Sequence, residues 1–396
     1  MPHGQAREAA LGQAREAAPV QGREAAPLYP MLQAPAFKDY IWGGARLATE
    51  YGKRAPRLPI AESWELSCHP DGPSSIANGP LAGMPLPDAL ARWPLMAGTR
   101  AKLGRPSDFP VLVKLIDAKE DLSLQVHPDD GYARLHENSF GKNEVWYVVD
   151  CKPGSKLALG LRQPVPPELA RGAPGRRDGL LSRIRDGSIL GLTRFVEARP
   201  GDCFCVRAGL LHAICSGILV AEIQQSSNIT YRVHDYGRLG ADGEPRPLHF
   251  GQAADVIDAE LAAENTRGGI GIKQPVSGWP PHATETQLTD WPYFRTRLLT
   301  LAGTGPGAAA DTGPGAAAGT GAGAGSGEGP VGAACARLDA APESFHSILA
   351  LDSGLQIHCG ALATPLSLSK GDSMFIPAGM GPYDVVGAGR ALLTDI

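Results

Sequence analysis

Two stretches far apart in this 396-residue chain repeat one pattern in frame, and the repeat narrows the folds open to it. Gly201-Asp202-Cys-Phe-Cys-Val-Arg207-Ala208-Gly209-Leu-Leu-His212 matches Gly371-Asp372-Ser-Met-Phe-Ile-Pro377-Ala378-Gly379-Met-Gly-Pro382. Each copy reads Gly-Asp, four residues, an arginine or proline, then Ala-Gly. That is a short strand set between two glycine turns. The copies differ at their ends, where His212 stands in one and Pro382 in the other. An imidazole can bind a metal and a proline cannot.

Around the first copy, short apolar segments follow one another at 193–198, 201–208, 212–215, 219–225 and 230–233, divided by turns. This is the signature of an all-β sandwich or barrel, not of a parallel α/β sheet. Val111 to Ile116 and Leu122 to His127 read as a hairpin, and Val145 to Val149 as a strand with Glu144 at its start. Leucines, alanines and Trp93 recur at helical spacing between Pro85 and Gly104. A helical insertion is expected at about 160–190, where it would act as a cover over the site. Apolar alternation returns at 345–351, 355–359, 374–376 and 391–394, so a smaller β domain is expected to close the chain.

Composition explains the segments that do not fit this scheme. Fifty glycines and 35 prolines exceed globular usage. Many lie between 302 and 334, a Gly/Ala-rich stretch expected to be a disordered loop. Residues 1–27 carry Gly4-Gln-Ala-Arg-Glu-Ala-Ala10 again from Gly12, and lack the large apolar residues that dock a tail on a core. The expected division is thus a disordered tail at 1–27, a catalytic domain at 28–260 and a C-terminal β domain at 261–396.

A net charge of −4 from 37 basic and 41 acidic residues gives no reason to expect nucleic acid or a membrane as partner. Seven cysteines without a Cys-x-x-Cys pair, and no secretory leader, lead to an expectation of a cytoplasmic protein with free thiols.

The chemistry concentrates between Ser123 and Glu144. In a strand, Ser123, Gln125 and His127 share one face, and a carboxylate follows after a loop. An imidazole with oxygen ligands suits zinc or a similar divalent ion, whereas a plain half-buried strand with one histidine is the bland alternative.

The twin turns resemble the second motif of the cupins, double-sheet jelly rolls whose turn presents a histidine to a metal inside the barrel. With the Ser123–Glu144 stretch, the chain resembles the type I mannose-6-phosphate isomerases, zinc-dependent cupin enzymes, in their shorter bacterial form. The segments carrying the likeness run from about Leu28 to Ile257. They are Trp42-Gly-Gly, Glu62-Ser-Trp-Glu65, Leu122-Ser-Leu-Gln-Val-His-Pro-Asp129, Lys142-Asn-Glu-Val-Trp146, the first twin turn, and Glu222-Ile-Gln-Gln-Ser-Ser-Asn-Ile-Thr-Tyr-Arg-Val233.

The resemblance implies mainly-β cupin barrels, a catalytic one and a smaller metal-less one. It implies one zinc per chain on Gln125, His127, Glu144 and His212. Arg232, ten residues after Glu222, falls on a catalytic position, with Glu222 a candidate general base. Ser123 and Lys142 fall on positions associated with the substrate's phosphate. The implied reaction interconverts mannose 6-phosphate and fructose 6-phosphate through a cis-enediol(ate), in a monomer or homodimer. A non-catalytic sugar-binding or regulatory cupin is the alternative. A metal-dependent dioxygenase fits less well, because Gln125 fills a slot those enzymes give to histidine. Arg207 departs from the family's usual proline, and His234 and Gly237 vary the segment after Arg232.

Overall fold

The computed structural model describes residues 25–240, 243–263, 274–275, 282–302 and 334–396. The tail repeat up to residue 24 and the Gly/Ala-rich stretch 303–333 lie outside the described residues. The chain is mainly β, in antiparallel sheets of eight, six, five and four strands. Among the described residues no helix is long and apolar enough to cross a membrane.

The six- and five-stranded sheets face each other. The first runs in the order Cys203–Val206, Glu144–Cys151, Ile218–Gln225, Val111–Ala118, Glu62–Leu66 and Ala36–Lys38. The second runs Tyr231–His234, Leu124–Val126, His212–Ile214, Lys156–Leu161 and Thr193–Glu197. Trp146, Val148, Leu157, Leu159, Phe204, Ile214 and Val220 meet between the two sheets.

Both outer faces are also buried, which is why the strands read as nearly unbroken apolar runs. Val111, Val113, Leu115, Val145, Tyr147, Leu219 and Ile223 pack outward against Phe345, Leu349 and Phe375 of the C-terminal half. Leu124, Val126, Ala158 and Ala213 pack outward against Leu180, Ile184 and Ala253 of helices Arg176–Arg185 and Phe250–Val256. Because side chains alternate, the residues between these apolar positions all point into the barrel. They include Lys114, Gln125, Glu144, His212 and Glu222.

The hairpin expected from 111–116 and 122–127 is not formed. Val111–Ala118 pairs with Glu62–Leu66 and Ile218–Gln225, whereas Leu124–Val126 pairs with His212–Ile214 and Tyr231–His234. The link at 119–123 carries the chain from one sheet to the other, and a period of two reveals strands without naming their partners. The insertion is helical as expected, in Arg176–Arg185 and Ile189–Leu192. It backs the outer face of the five-stranded sheet and contributes no lining residue to the barrel cavity, so it is not a cover over the site.

The C-terminal half closes a second apolar interior from the eight- and four-stranded sheets, with Leu299, Ile348, Ile357, Met374, Tyr383 and Leu393 inside. The twin turns coincide in form. Gly201 and Gly371 have φ of 87° and 84°, and each introduces a four-residue strand, Cys203–Val206 or Ser373–Ile376. In each, the aspartate after the glycine accepts a backbone N–H three residues before it, from Arg199 at 2.9 Å or Ser369 at 2.8 Å.

Candidate metal centre

His127, Glu144 and His212 converge inside the first barrel, one ligand atom from each lying within 4.8 Å of the others. All three are almost fully buried. The two Nε2 atoms are 3.1 Å apart, and Glu144 Oε1 lies 3.2 Å from His212 Nε2 and 3.6 Å from His127 Nε2. The edges of a tetrahedron around zinc with bonds of about 2.0–2.1 Å are about 3.3 Å, so the spacing suits such an ion. Neither oxygen of Glu144 accepts a well-directed hydrogen bond, although both are shut off from solvent. A buried carboxylate left in this way has the chemistry of a cation ligand.

Protonation favours the same use. Burial, then Lys142 and His212, hold the His127 imidazole well below its ordinary pKa. Burial lowers that of His212 against the pull of Glu144. Both rings are therefore neutral and keep a lone pair for a metal. His212 Nδ1 lies 2.7 Å from the Leu210 carbonyl, so Nδ1 carries the proton and Nε2 the lone pair. Burial opposes the charge on Glu144, but Lys142 and His212 outweigh it and the pKa is lowered.

Gln125 adjoins the cluster. It lies beside His212 in the sheet, and its amide nitrogen is 3.5 Å from His212 Nε2 while Ser123 Oγ donates to its oxygen at 3.3 Å. The two ends of an amide are told apart only by their partners, and turning it over presents the carbonyl oxygen to the other ligands.

Lys142, expected at the substrate's phosphate, is in contact with the cluster. Its ammonium lies 2.9 Å from Glu144 Oε2 and 3.2 Å from His127 Nε2. Lys142 precedes Glu144 by two positions and turns to the same interior, while Ser123 sits beside Gln125 for the same reason.

Ser123, Gln125 and Lys142, which adjoin the buried cluster, line one cavity of about 240 Å³, together with Glu62, Lys114, Trp146, Glu222, Arg232, Arg246 and His249. A larger open groove of about 550 Å³ lies elsewhere, lined by Lys119, Lys152, Lys156 and Cys215, and lacks the clustered acids and imidazoles. Glu222 Oε2 accepts from Trp146 Nε1 at 2.9 Å, and Oε1 lies 3.1 Å from Lys114 and 3.9 Å from Lys142. Arg232 pairs with Gln125 across the strands, which sets it next to the ligand cluster.

Sequence reasoning missed Lys114, 3% exposed and held between Glu222 and Glu62, the latter at 3.5 Å. Burial opposes its charge, but Glu62 and Glu222 outweigh it and raise its pKa. Its signal was present, since it is the one charge in Val111-Leu-Val-Lys-Leu-Ile116.

A family model described as phosphomannose isomerase type I, catalytic domain, matches residues 31–154. The chain is 43% identical over 230 residues to the probable mannose-6-phosphate isomerase GmuF of Bacillus subtilis, covering 58% of this chain and 68% of that protein. It is 37% identical over 236 residues to the mannose-6-phosphate isomerase ManA of the same organism, covering 59% and 70% respectively. The crystal structure of the mannose 6-phosphate isomerase from Bacillus subtilis superposes with a TM-score of 0.73 at 30% identity, over 92% of this chain and 99% of that one.

Proposed function

The chain belongs to the type I mannose-6-phosphate isomerases, and from that premise we propose that it interconverts mannose 6-phosphate and fructose 6-phosphate with one zinc ion held by Gln125, His127, Glu144 and His212. The observation that carries the metal assignment is the buried His127–Glu144–His212 cluster, which Lys142 joins to a cavity lined with both acids and bases. The residue pattern and the isomerase relatives favour this catalytic reading over a sugar-binding or regulatory cupin. A cytoplasmic setting and a hexose 6-phosphate as the sole small-molecule partner accompany the reading as expectations.

The reaction removes the proton on C2 of the aldose, places negative charge on the O1/O2 edge in a cis-enediol(ate), moves the hydroxyl proton from O2 to O1, and returns a proton to C1. When bound, a divalent ion supplies Lewis-acid polarisation at those oxygens. The side chains do the rest. Glu222 is the proposed carrier, taking the C2 proton at Oε1 and delivering it to C1. Lys114 and Lys142 flank that oxygen at 3.1 Å and 3.9 Å and hold it in place. Arg232, beside Gln125, offsets the developing oxyanion. Trp146 fixes the other oxygen of Glu222 and so the direction of the one that reacts.

The test is a coupled assay of fructose 6-phosphate formation with metal analysis of the same preparation. Bound zinc, loss of turnover on chelation, and loss of both zinc and turnover in His127→Ala are the expected results. Folded, metal-loaded protein that turns over no hexose 6-phosphate would overturn the reading.

A further inference from the structure

The cavity is electrically divided. On the side of the His127–Glu144–His212 cluster three carboxylates, Glu62 and Glu222 in the lining and Glu144 behind Lys142, face two ammonium groups, Lys114 and Lys142, leaving an excess of negative charge that suits a metal cation. At its other end the balance reverses. Asp235, 5% exposed, accepts at its Oδ1 from Arg238 Nη2 at 2.6 Å and from Arg246 Nη2 at 2.5 Å. Its Oδ2 accepts from Arg246 Nε at 2.7 Å. Arg232 adds a third guanidinium beside Arg246. Among the described residues no carboxylate lies within ion-pair distance of Arg232, and its buried Nε has no hydrogen-bond partner. Burial, then the charge of Arg246, lowers the Arg232 pKa, as expected for two cations held close without enough counter-charge.

Backbone contacts build this end. His249 N–H donates to the Arg232 carbonyl at 2.8 Å, and Arg232 N–H donates to His249 Nδ1 at 3.1 Å. The segment carrying Arg246 is thereby tied to the strand carrying Arg232. Arg232 in turn adjoins Gln125, so the order along the wall runs from metal ligands through Arg232 to Arg246. Asp235 grips the Nε–Nη2 edge of Arg246 and fixes the guanidinium plane. Lys142 is less suited to an anion, because Glu144 already neutralises it at 2.9 Å.

We propose that Arg246, oriented by Asp235 and flanked by Arg232, binds the phosphate group of the substrate, in place of Lys142. A phosphate dianion would balance the excess charge of this end and accept planar, charge-assisted hydrogen bonds from the guanidinium. It would also hold the sugar with C1 and C2 toward the side of that cluster. That the anion is the phosphate of a hexose rests on the isomerase reading; that the arginine end takes a phosphate does not.

The experiment uses the zinc-loaded full chain and two readouts, steady-state kinetics on mannose 6-phosphate and binding of inorganic phosphate by titration calorimetry. Arg246→Ala is expected to raise KM, and to weaken phosphate binding, by about 10- to 100-fold, with a smaller effect on kcat and zinc content retained. Arg246→Lys, which keeps the charge but loses the planar fork, is expected to fall between, and it stands in if the alanine variant does not fold. Lys142→Ala is expected to lose kcat while still binding phosphate. Phosphate binding unchanged in both Arg246 variants, or abolished by Lys142→Ala alone, would overturn the assignment. If the wild-type protein proves inactive on mannose 6-phosphate, the isomerase reading fails, and calorimetry still decides the site. Phosphate binding lost in Arg246→Ala upholds it, and no binding by the wild type overturns it.

Discussion

Lys114 shows how much a single inward position controls here. It has no exposed route for its charge, and its two carboxylate partners are as buried as it is. Replacing it with methionine keeps the bulk and leaves Glu62 and Glu222 as buried like charges without a cation between them. Breaking a buried pair in this way costs about 3–5 kcal/mol. Lys114→Met is therefore expected to lower urea stability by that order and to reduce kcat by at least about 100-fold, since Glu222 loses the partner that positions its Oε1. Lys114→Arg should recover stability more than rate. Full activity in the methionine variant would remove Glu222 and Lys114 from the chemistry. The inner residues were legible because parity alone places them, as Gln125 and His127 are two apart, and so are Lys142 and Glu144. That same parity, followed through, already put Lys142 with the metal ligands. Asp235 and Arg246 were not legible, because they sit in non-periodic chain and are joined only by a contact across eleven positions.

The twin turns separate what a glycine does for the backbone from what it does for packing. Gly201 and Gly371 share a left-handed φ, so alanine at either is strained by about 1–2 kcal/mol. A Cβ on Gly201 meets nothing within 4 Å, whereas one on Gly371 would come 2.7 Å from Tyr51 Cδ1. Gly371→Ala is expected to cost about 1–3 kcal/mol more than Gly201→Ala, read from urea midpoints of the two variants. Equal losses would mean that the Tyr51 ring yields freely. The turns were visible in the sequence because Gly-Asp and Ala-Gly punctuate both copies in the same way. Strand partners were not visible, and the false hairpin shows why. Val111–Ala118 and Leu124–Val126 are each correct as strands, but the five residues between them change sheets instead of reversing within one. Burial of both sheet faces adds to the difficulty, since it erases the apolar–polar contrast that would tell inside from outside.

At the scale of the molecule, the division expected at residue 260 is crossed by the structure in several places. Strand Met31–Ala34, from the start of the chain, pairs with Ser373–Ile376 and so completes the C-terminal eight-stranded sheet. Lys53 Nζ donates to the Gly371 carbonyl and to Glu65, each at 2.8 Å. Phe109 lies 4.7 Å from Phe345 and 6.1 Å from Phe375, ring centre to ring centre, within one apolar cluster that draws on both halves. The outer face of the six-stranded sheet would be left as an apolar surface without that contact, so the C-terminal half serves as the wall behind the sheet that carries Glu144 and Glu222. Truncating Phe345 removes a fully buried ring from the seam without touching the cavity, at an expected cost of about 3–5 kcal/mol. If the halves are one cooperative unit, Phe345→Ala should shift a single urea transition, with far-UV circular dichroism and bound-zinc release moving together. If the second half is an independent domain, its signal should separate and zinc release should stay at the wild-type midpoint. The shared sheet strand and the shared ring cluster favour the first outcome, because the apolar cluster at the seam is built from both halves.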